Sequence, residues 1–182
     1  MKQYVALLRG INVGGHRKIK MAELRSACEE IGLSDVQTYI QSGNMVFRSL
    51  QENAEDLAQS IKAVILKQFG HDVITFVINS EAFKQVIVNN PFEEREDPDP
   101  KKLHVCFLYE EVDTSLEAEL QAVESGQDQV VLMPKVLYLY CPDGFGRTKY
   151  TDSVIKRILK TSGTTRNWRT VLKLQEMLHN NK

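Results

Sequence analysis

The chain has 182 residues, of which 42% are hydrophobic and 26% are charged, and its formal net charge is −1. This length fits one domain or two small ones with an adequate core, and the composition excludes a disordered, fibrous or membrane-spanning chain. The three cysteines are widely spaced, which excludes a disulfide framework or a zinc site, and free thiols favour a reducing compartment.

The beginning of the chain carries no targeting signal that we can identify. The apolar stretch Val5 to Leu8 is too short for a secretory signal, and no run approaches the ~20 apolar residues of a membrane helix. We therefore predict a cytoplasmic protein with no membrane partner. The histidines and acidic residues lack metal-ligand spacing, so we predict no metal site and no cofactor.

In the first half, the hydrophobic pattern predicts the order β-α-β-β-α-β, which is typical of a ferredoxin-like motif. Strands are predicted at Gln3–Arg9, Val36–Gln41, Met45–Arg48 and Val73–Ile78, and helices at Lys20–Ile31, from Asn53 to Gly70, and at Ser80–Val88. An acidic loop or linker, Glu93–Pro100, follows.

In the second half, the pattern predicts the order β-α-β-β-α-α. Strands are predicted at Leu103–Tyr109, Val130–Met133 and Val136–Tyr140, and helices around Leu116–Val123, Val154–Leu159 and Trp168–Leu178. The sequence thus predicts an α+β fold of two tandem ferredoxin-like halves, residues 1–90 and 91–182, that pack as one unit. No flexible Gly/Ser-rich linker separates them.

Charge is distributed unevenly along the chain. Residues 1–50 hold seven Lys or Arg and four Asp or Glu, residues 51–142 hold seven and seventeen, and residues 143–182 hold nine and three. The net charges are therefore +3, −10 and +6. Basic ends around an acidic middle predict an anion site built from both ends of the chain.

The first candidate for this site is the glycine-containing segment Leu8–Lys18. Gly10 and Gly15 have the separation of a phosphate-binding P-loop, but His16 and Arg17 stand where that loop needs Lys and Ser or Thr, so we reject a nucleotide hydrolase. The potential anion donors are the backbone N–H groups of Gly14 and Gly15 and five side chains, those of Arg9, Asn12, Arg17, Lys18 and Lys20. The alternative is that the glycines only permit a tight turn.

Three further segments could contribute to the same site. In Thr38–Asn44, the phenol of Tyr39 and the amides of Gln41 and Asn44 could contact a ligand, or these polar residues could serve the hairpin turn alone. Cys141–Thr151 contributes Lys149, and Gly163–Thr170 contributes Arg166 and Asn167. Thr165 or Asn167 is also a good N-cap for the last helix.

Two predictions follow from these segments. We expect Gly10–Lys18 and Thr164–Trp168, both interpreted as helix starts, to lie side by side with an anion between them. His104 and Cys106 share a strand face, but we interpret both as core residues rather than a catalytic pair.

Four motifs resemble those of a bacterial family catalogued as domain of unknown function 1697. They are Tyr4–Gly15, Thr38–Asn44, Asn90-Pro91-Phe92 and Thr164–Thr170. The resemblance covers nearly the whole chain and implies a tandem of ferredoxin-like α+β subdomains. The family has no established activity, so the resemblance implies no catalytic residue.

Three functions remain open on these observations. The favoured one is a binding module or enzyme for a small phosphorylated or carboxylated ligand. The second is RNA or other nucleic-acid binding, against which stand the net charge and the lack of an RNP-type aromatic pattern. The third is a structural or oligomerising protein without chemistry. Catalysis and oligomeric state are left open.

Overall fold

The structure, a computed structural model, describes residues 1–94 and 99–180. Within the predicted acidic loop Glu93–Pro100, residues 95–98 lie outside the described residues. The chain divides into two compact units. The first comprises Met1–Gln85 with the C-terminal residues from Lys173 onward, and the second comprises Val86–Leu172.

The predicted halves differ from these units mainly at the C-terminal helix. The prediction assigned residues 91–182 to the second half, whereas the residues from Lys173 onward belong to the first unit. As domains in their own right, the halves 1–90 and 91–182 stay a prediction.

The first unit has the predicted β-α-β-β-α-β order. Its elements are β1 (Lys2–Leu8), α1 (Met21–Glu30), β2 (Ser34–Tyr39), β3 (Asn44–Ser49), α2 (Ala54–Phe69) and β4 (Thr75–Asn79), and α3 (Ser80–Val88) follows directly. The strands form one antiparallel sheet in the order β2-β3-β1-β4. This is the ferredoxin-like arrangement that the sequence predicts.

Both ends of helix α2 are determined by residues next to it in the sequence. Asn53 caps it, because Asn53 Oδ1 accepts hydrogen bonds from the backbone N–H groups of Glu55 and Asp56. The helix ends at Gly70, which has the left-handed φ of 70° that glycine adopts without strain. Both predicted ends are confirmed.

The second unit repeats this topology. Its elements are β5 (Leu103–Leu108), α4 (Glu117–Gln121), β6 (Gln129–Met133), β7 (Val136–Tyr140), α5 (Asp152–Leu159) and β8 (Gly163–Asn167), and α6 (Trp168–Asn180) follows. The antiparallel sheet has the order β6-β7-β5-β8. The chain is therefore an α+β protein with two ferredoxin-like sheets, as predicted.

The predicted β-α-β-β-α-α order of the second half is wrong, because it lacks β8. The sequence predicts that this segment is the start of the last helix, whereas it pairs antiparallel with β5 and places Arg166 opposite Val105. Strands are predicted from alternating apolar residues, and this five-residue edge strand has none, so the hydrophobic pattern does not indicate it. The adjacent β-branched residues Thr164 and Thr165 were the available signal. The cap on α6 is Asn167, whose Oδ1 accepts from Arg169 N at 3.1 Å.

Each sheet buries an apolar face against its helices. In the first unit, Tyr4 of β1 shares a buried cluster with Leu24 of α1 and Ile61 of α2. Gln3 Nε2 also donates to Leu178 O at 2.9 Å, which places the end of α6 beside β1. In the second unit, Cys106 clusters with helical residues of α4 and α5.

Candidate functional site

The long loop between β1 and α1 is organised by the side chain of Asn12. Its Nδ2 donates to Ile19 O at 2.9 Å and to Gln41 O at 2.8 Å, and its Oδ1 accepts from Ile19 N at 2.9 Å. Asn12 has a φ of 54°, a left-handed conformation that asparagine tolerates better than most residues. One side chain thus joins both ends of the loop to the β2–β3 turn.

The tip of this loop is a tight turn. His16 N donates to Val13 O at 3.0 Å, and the two central glycines have φ values of 58° and 79°. Left-handed angles at both central positions require the conformation that Gly14 and Gly15 adopt readily. The backbone therefore agrees with the tight-turn interpretation of these two residues.

The β2–β3 turn packs directly under the loop. Asn44 is fully buried, and its Nδ2 donates to Tyr39 O at 3.2 Å and to Ser42 Oγ at 2.9 Å. A Cβ on Gly43 would lie only 2.6 Å from Leu8 Cβ, so no larger residue fits there. The Asn44 amide is thus bonded within the turn, while the Gln41 side chain is exposed.

Three basic side chains of the loop, those of Arg17, Lys18 and Lys20, face solvent. Residues 1–22 contain no Asp or Glu, and Lys20 pairs with Glu23 at 2.9 Å. Arg17 and Lys18 are exposed, and no carboxylate in the described part of the chain forms an ion pair with either. A Cβ on Gly10 would lie 3.4 Å from Arg17 Nη1, so the guanidinium folds back towards that glycine.

The first unit therefore brings seven of the predicted site residues into two adjacent segments. They are Arg9, Asn12, Gly14, Gly15, Lys18, Gln41 and Asn44. Arg9 is half-buried, and its backbone N–H donates to Ile74 O at 2.9 Å. Of the side chains whose bonds are described, Asn12 and Asn44 hold the backbone in place.

The other three predicted residues lie in the second unit. Lys149 is exposed in the loop before α5. Arg166 Nη1 donates to Thr164 Oγ1 and Thr165 O, both at 2.9 Å, and burial lowers the pKa of Arg166 to about 10. Asn167 Nδ2 donates to Lys101 O at 2.9 Å. The anion site predicted from both ends of the chain would need residues of both units, and it stays a prediction.

His104 is a buried titratable group on the same face of β5 as Cys106. Asn167 Nδ2 lies 3.2 Å from His104 Nε2, and His104 Nδ1 lies 3.3 Å from Lys102 O. An amide nitrogen only donates, so Nε2 accepts and Nδ1 carries the proton. Burial lowers the pKa of His104, and its ring stacks on Phe145 at 4.3 Å. The interpretation of His104 and Cys106 as core residues is confirmed by their burial.

Sequence reasoning missed an aromatic cavity in the second unit. Phe92, Tyr140 and Trp168 line it together with the acidic residues Glu93 and Asp99. These residues come from separate segments, and no periodic pattern in the sequence joins them. The only signal in the sequence was that these residues are aromatic, and aromatic residues are equally typical of an ordinary core.

Residues 1–94 and 99–180 contain neither a cluster of metal ligands nor a helix that could span a membrane. In that part of the chain, no three His, Cys, Asp or Glu side chains converge to hold a metal ion. None of its helices has the length and apolar character needed to cross a membrane.

The fold and these sites define a two-unit ferredoxin-like α+β protein with a structured basic loop after its first strand. Residues 1–138 match the family model described as a protein of unknown function, DUF1697, and the chain belongs to this family. A solved structure of the conserved bacterial protein SP0830 from Streptococcus pneumoniae is similar to it, with a TM-score of 0.76 and 25% sequence identity. The similarity covers 97% of this chain and 98% of that one. No curated protein sequence matches the chain.

Proposed function

We propose that the protein binds a small phosphorylated or carboxylated ligand at the basic loop, residues 9–20. The observation that carries this proposal is the exposure of Arg17 and Lys18 without a carboxylate partner among the described residues. Unpaired cations repel one another, and an anion bound between them gains charge-assisted hydrogen bonds. A phosphate or carboxylate is the group that these donors fit.

The backbone of the basic loop supports this proposal. Non-glycine residues adopt left-handed φ angles at Asn12, Arg17 and Ile40, all within the loop or the turn beneath it. Ile40 is β-branched and 52% exposed, so its conformation is costly and is not explained by burial. Strained backbone that neighbouring contacts hold in place is characteristic of binding sites, because it fixes donors before the ligand arrives.

The test is a calorimetric titration of the protein with inorganic phosphate and with a small polycarboxylate. We expect saturable binding that the double substitution Arg17→Ala, Lys18→Ala weakens by at least tenfold, since each lost charge-assisted bond is worth roughly 1.5–3 kcal/mol. The matched control is Lys156→Ala, Arg157→Ala, which removes the same two residue types from the exposed face of α5. Equal weakening by both double variants would refute a specific site.

The same variants distinguish nucleic-acid binding from a small ligand. A single-stranded RNA should bind weakly, with an affinity that falls steeply as salt rises, because phosphate contacts release counterions. If RNA binds far more tightly than phosphate and the Arg17, Lys18 variant lowers the salt dependence by about two charges, the basic loop is a nucleic-acid surface instead.

A further inference from the structure

The second unit contains a cavity of about 310 Å³ that lies within this unit alone. It opens beside Leu103 and Tyr140, which are register partners on β5 and β7. Both residues point away from the cluster that α4 and α5 cover, because their neighbours Cys106 and Leu139 occupy that face. The volume falls in the range of sites for small organic molecules.

Three aromatic side chains form much of the wall. Phe92, Tyr140 and Trp168 line the cavity, and each is less than a tenth exposed. The rings of Phe92 and Tyr140 have centroids 5.8 Å apart at a tilt of 39°. Asn90 Oδ1 accepts from Phe92 N at 3.1 Å, and the cap residue Asn167 starts the helix that carries Trp168. The wall is therefore fixed by the surrounding backbone.

Among the described residues that line the cavity, the charged side chains are both acidic. Glu93 and Asp99 line the cavity, and none of its described lining residues is Lys, Arg or His. Asp99 is half-buried, and its Oδ1 accepts from Lys101 N at 2.9 Å. Glu93 and Asp99 thus give this described part of the wall a negative potential, to which the aromatic ring faces add.

We propose that this cavity binds an organic cation, namely an ammonium group that carries a small aromatic or aliphatic body. The aromatic rings attract the cation and contact the apolar body, and the two carboxylates balance its charge. This second site is independent of the anion proposed at the basic loop, and both of its carboxylates, Glu93 and Asp99, come from the acidic middle of the chain.

The fluorescence of Trp168 gives a direct assay, because it is the only tryptophan in the protein and it lines the cavity. Three probes share one body and differ in charge: phenethylamine, phenylethanol and phenylpropionate. We expect a saturable change in Trp168 emission with the amine at the lowest concentration, then with the alcohol, and least with the carboxylate. Tightest binding of the carboxylate, or no saturable change with any of the three probes, overturns the proposal.

Charge variants test the carboxylates separately from the apolar wall. Asp99→Asn keeps an acceptor for Lys101 N and removes the charge, and it should lower amine affinity roughly fivefold with no effect on the alcohol. Glu93→Gln should act in the same direction. Glu94→Gln is the matched control, because Glu94 is exposed and does not line the cavity. Amine and alcohol binding that respond equally to Asp99→Asn would show an apolar pocket and refute the cation site.

A final pair of variants does not depend on removing native groups. Leu172 lines the cavity, and its side chain is 42% exposed, so a charged replacement can be accommodated. Leu172→Glu should raise amine affinity and Leu172→Lys should lower it. If both variants stay folded by circular dichroism and neither changes amine affinity, the negative potential is not what binds the probe and the proposal fails.

Discussion

Replacing Asn12 by alanine should destabilise the first unit by about 2–4 kcal/mol. The change removes three hydrogen bonds, two to backbone oxygens and one from Ile19 N, each worth roughly 0.5–1.5 kcal/mol net. It also leaves alanine at a φ of 54°, where an L-residue without a bonding side chain costs roughly 1–2 kcal/mol. Water reaches the half-buried site and replaces part of the lost bonding, which keeps the sum below the full total.

Two companion variants separate these contributions. Asn12→Gly loses the same hydrogen bonds but accepts the left-handed backbone, so it should cost about 1 kcal/mol less than alanine. Asn12→Asp keeps the acceptor for Ile19 N but sets a carboxylate against the carbonyl oxygens of Ile19 and Gln41, so it should also destabilise.

Urea unfolding followed by circular dichroism measures all three variants, and a drop in midpoint at constant m-value reports a true stability change. If Asn12→Ala unfolds within about 0.5 kcal/mol of the wild type, the side chain does not hold the basic loop and the reasoning is wrong. The same variant should weaken phosphate binding, because a loosened loop no longer fixes Arg17 and Lys18.

Three further outcomes can be measured directly. Burial lowers the pKa of His104 below its ordinary 6.5, so the unfolded chain takes up the proton first, and the free energy of unfolding should be greatest above that pH and fall as the medium becomes acidic. Urea unfolding should therefore show a smaller dependence of stability on pH for His104→Gln than for the wild type, and an equal dependence would contradict this. Gly163→Ala should cost roughly 1–3 kcal/mol, since its Cβ would lie 2.6 Å from a backbone oxygen, whereas Gly146→Ala, with open space around it, should change the unfolding midpoint little. Burial raises the pKa of Cys28 to about 12 and that of Cys141 to about 11, so a thiol reagent should label neither in the native protein and both after denaturation, and rapid native labelling would show that they are accessible.

The parts of the fold that could be predicted are those that local chemistry specifies. The strands on either side of Pro134-Lys135 are apolar runs with a turn between them, and the Asn53 cap and Gly70 end bracket α2. Strand β8 could not be predicted in this way, because its residues are polar and its conformation depends on pairing with β5. Edge strands are specified by their neighbour as much as by their own sequence.

The candidate sites were predictable to different degrees. The basic loop was found because its glycines and cations are contiguous in the sequence. The role of Asn12 was not, because its partner Gln41 lies 29 residues away and only the tertiary structure joins them. The aromatic cavity likewise depends on Phe92, Tyr140 and Trp168 meeting from three segments.

The shared topology of the two units extends to the anchors of their first loops. Leu8 N donates to Gly43 O and Arg9 N to Ile74 O, and in the second unit Leu108 N donates to Lys135 O and Tyr109 N to Ser162 O. The strand that precedes each loop is thus fixed by the same two backbone bonds.

Beyond these anchors, the loops carry opposite charge. The first holds Arg9, Arg17, Lys18 and Lys20, and its counterpart at residues 109–116 holds Glu110, Glu111 and Asp113. Since backbone hydrogen bonds set the geometry of each anchor, that geometry does not depend on whether the loop that follows is positively or negatively charged. Reversing only the charged side chains, with Asn12 and the glycines kept, would therefore change the electrostatics of a loop and not its backbone bonds, so the same topology displays a basic loop in one unit and an acidic loop in the other.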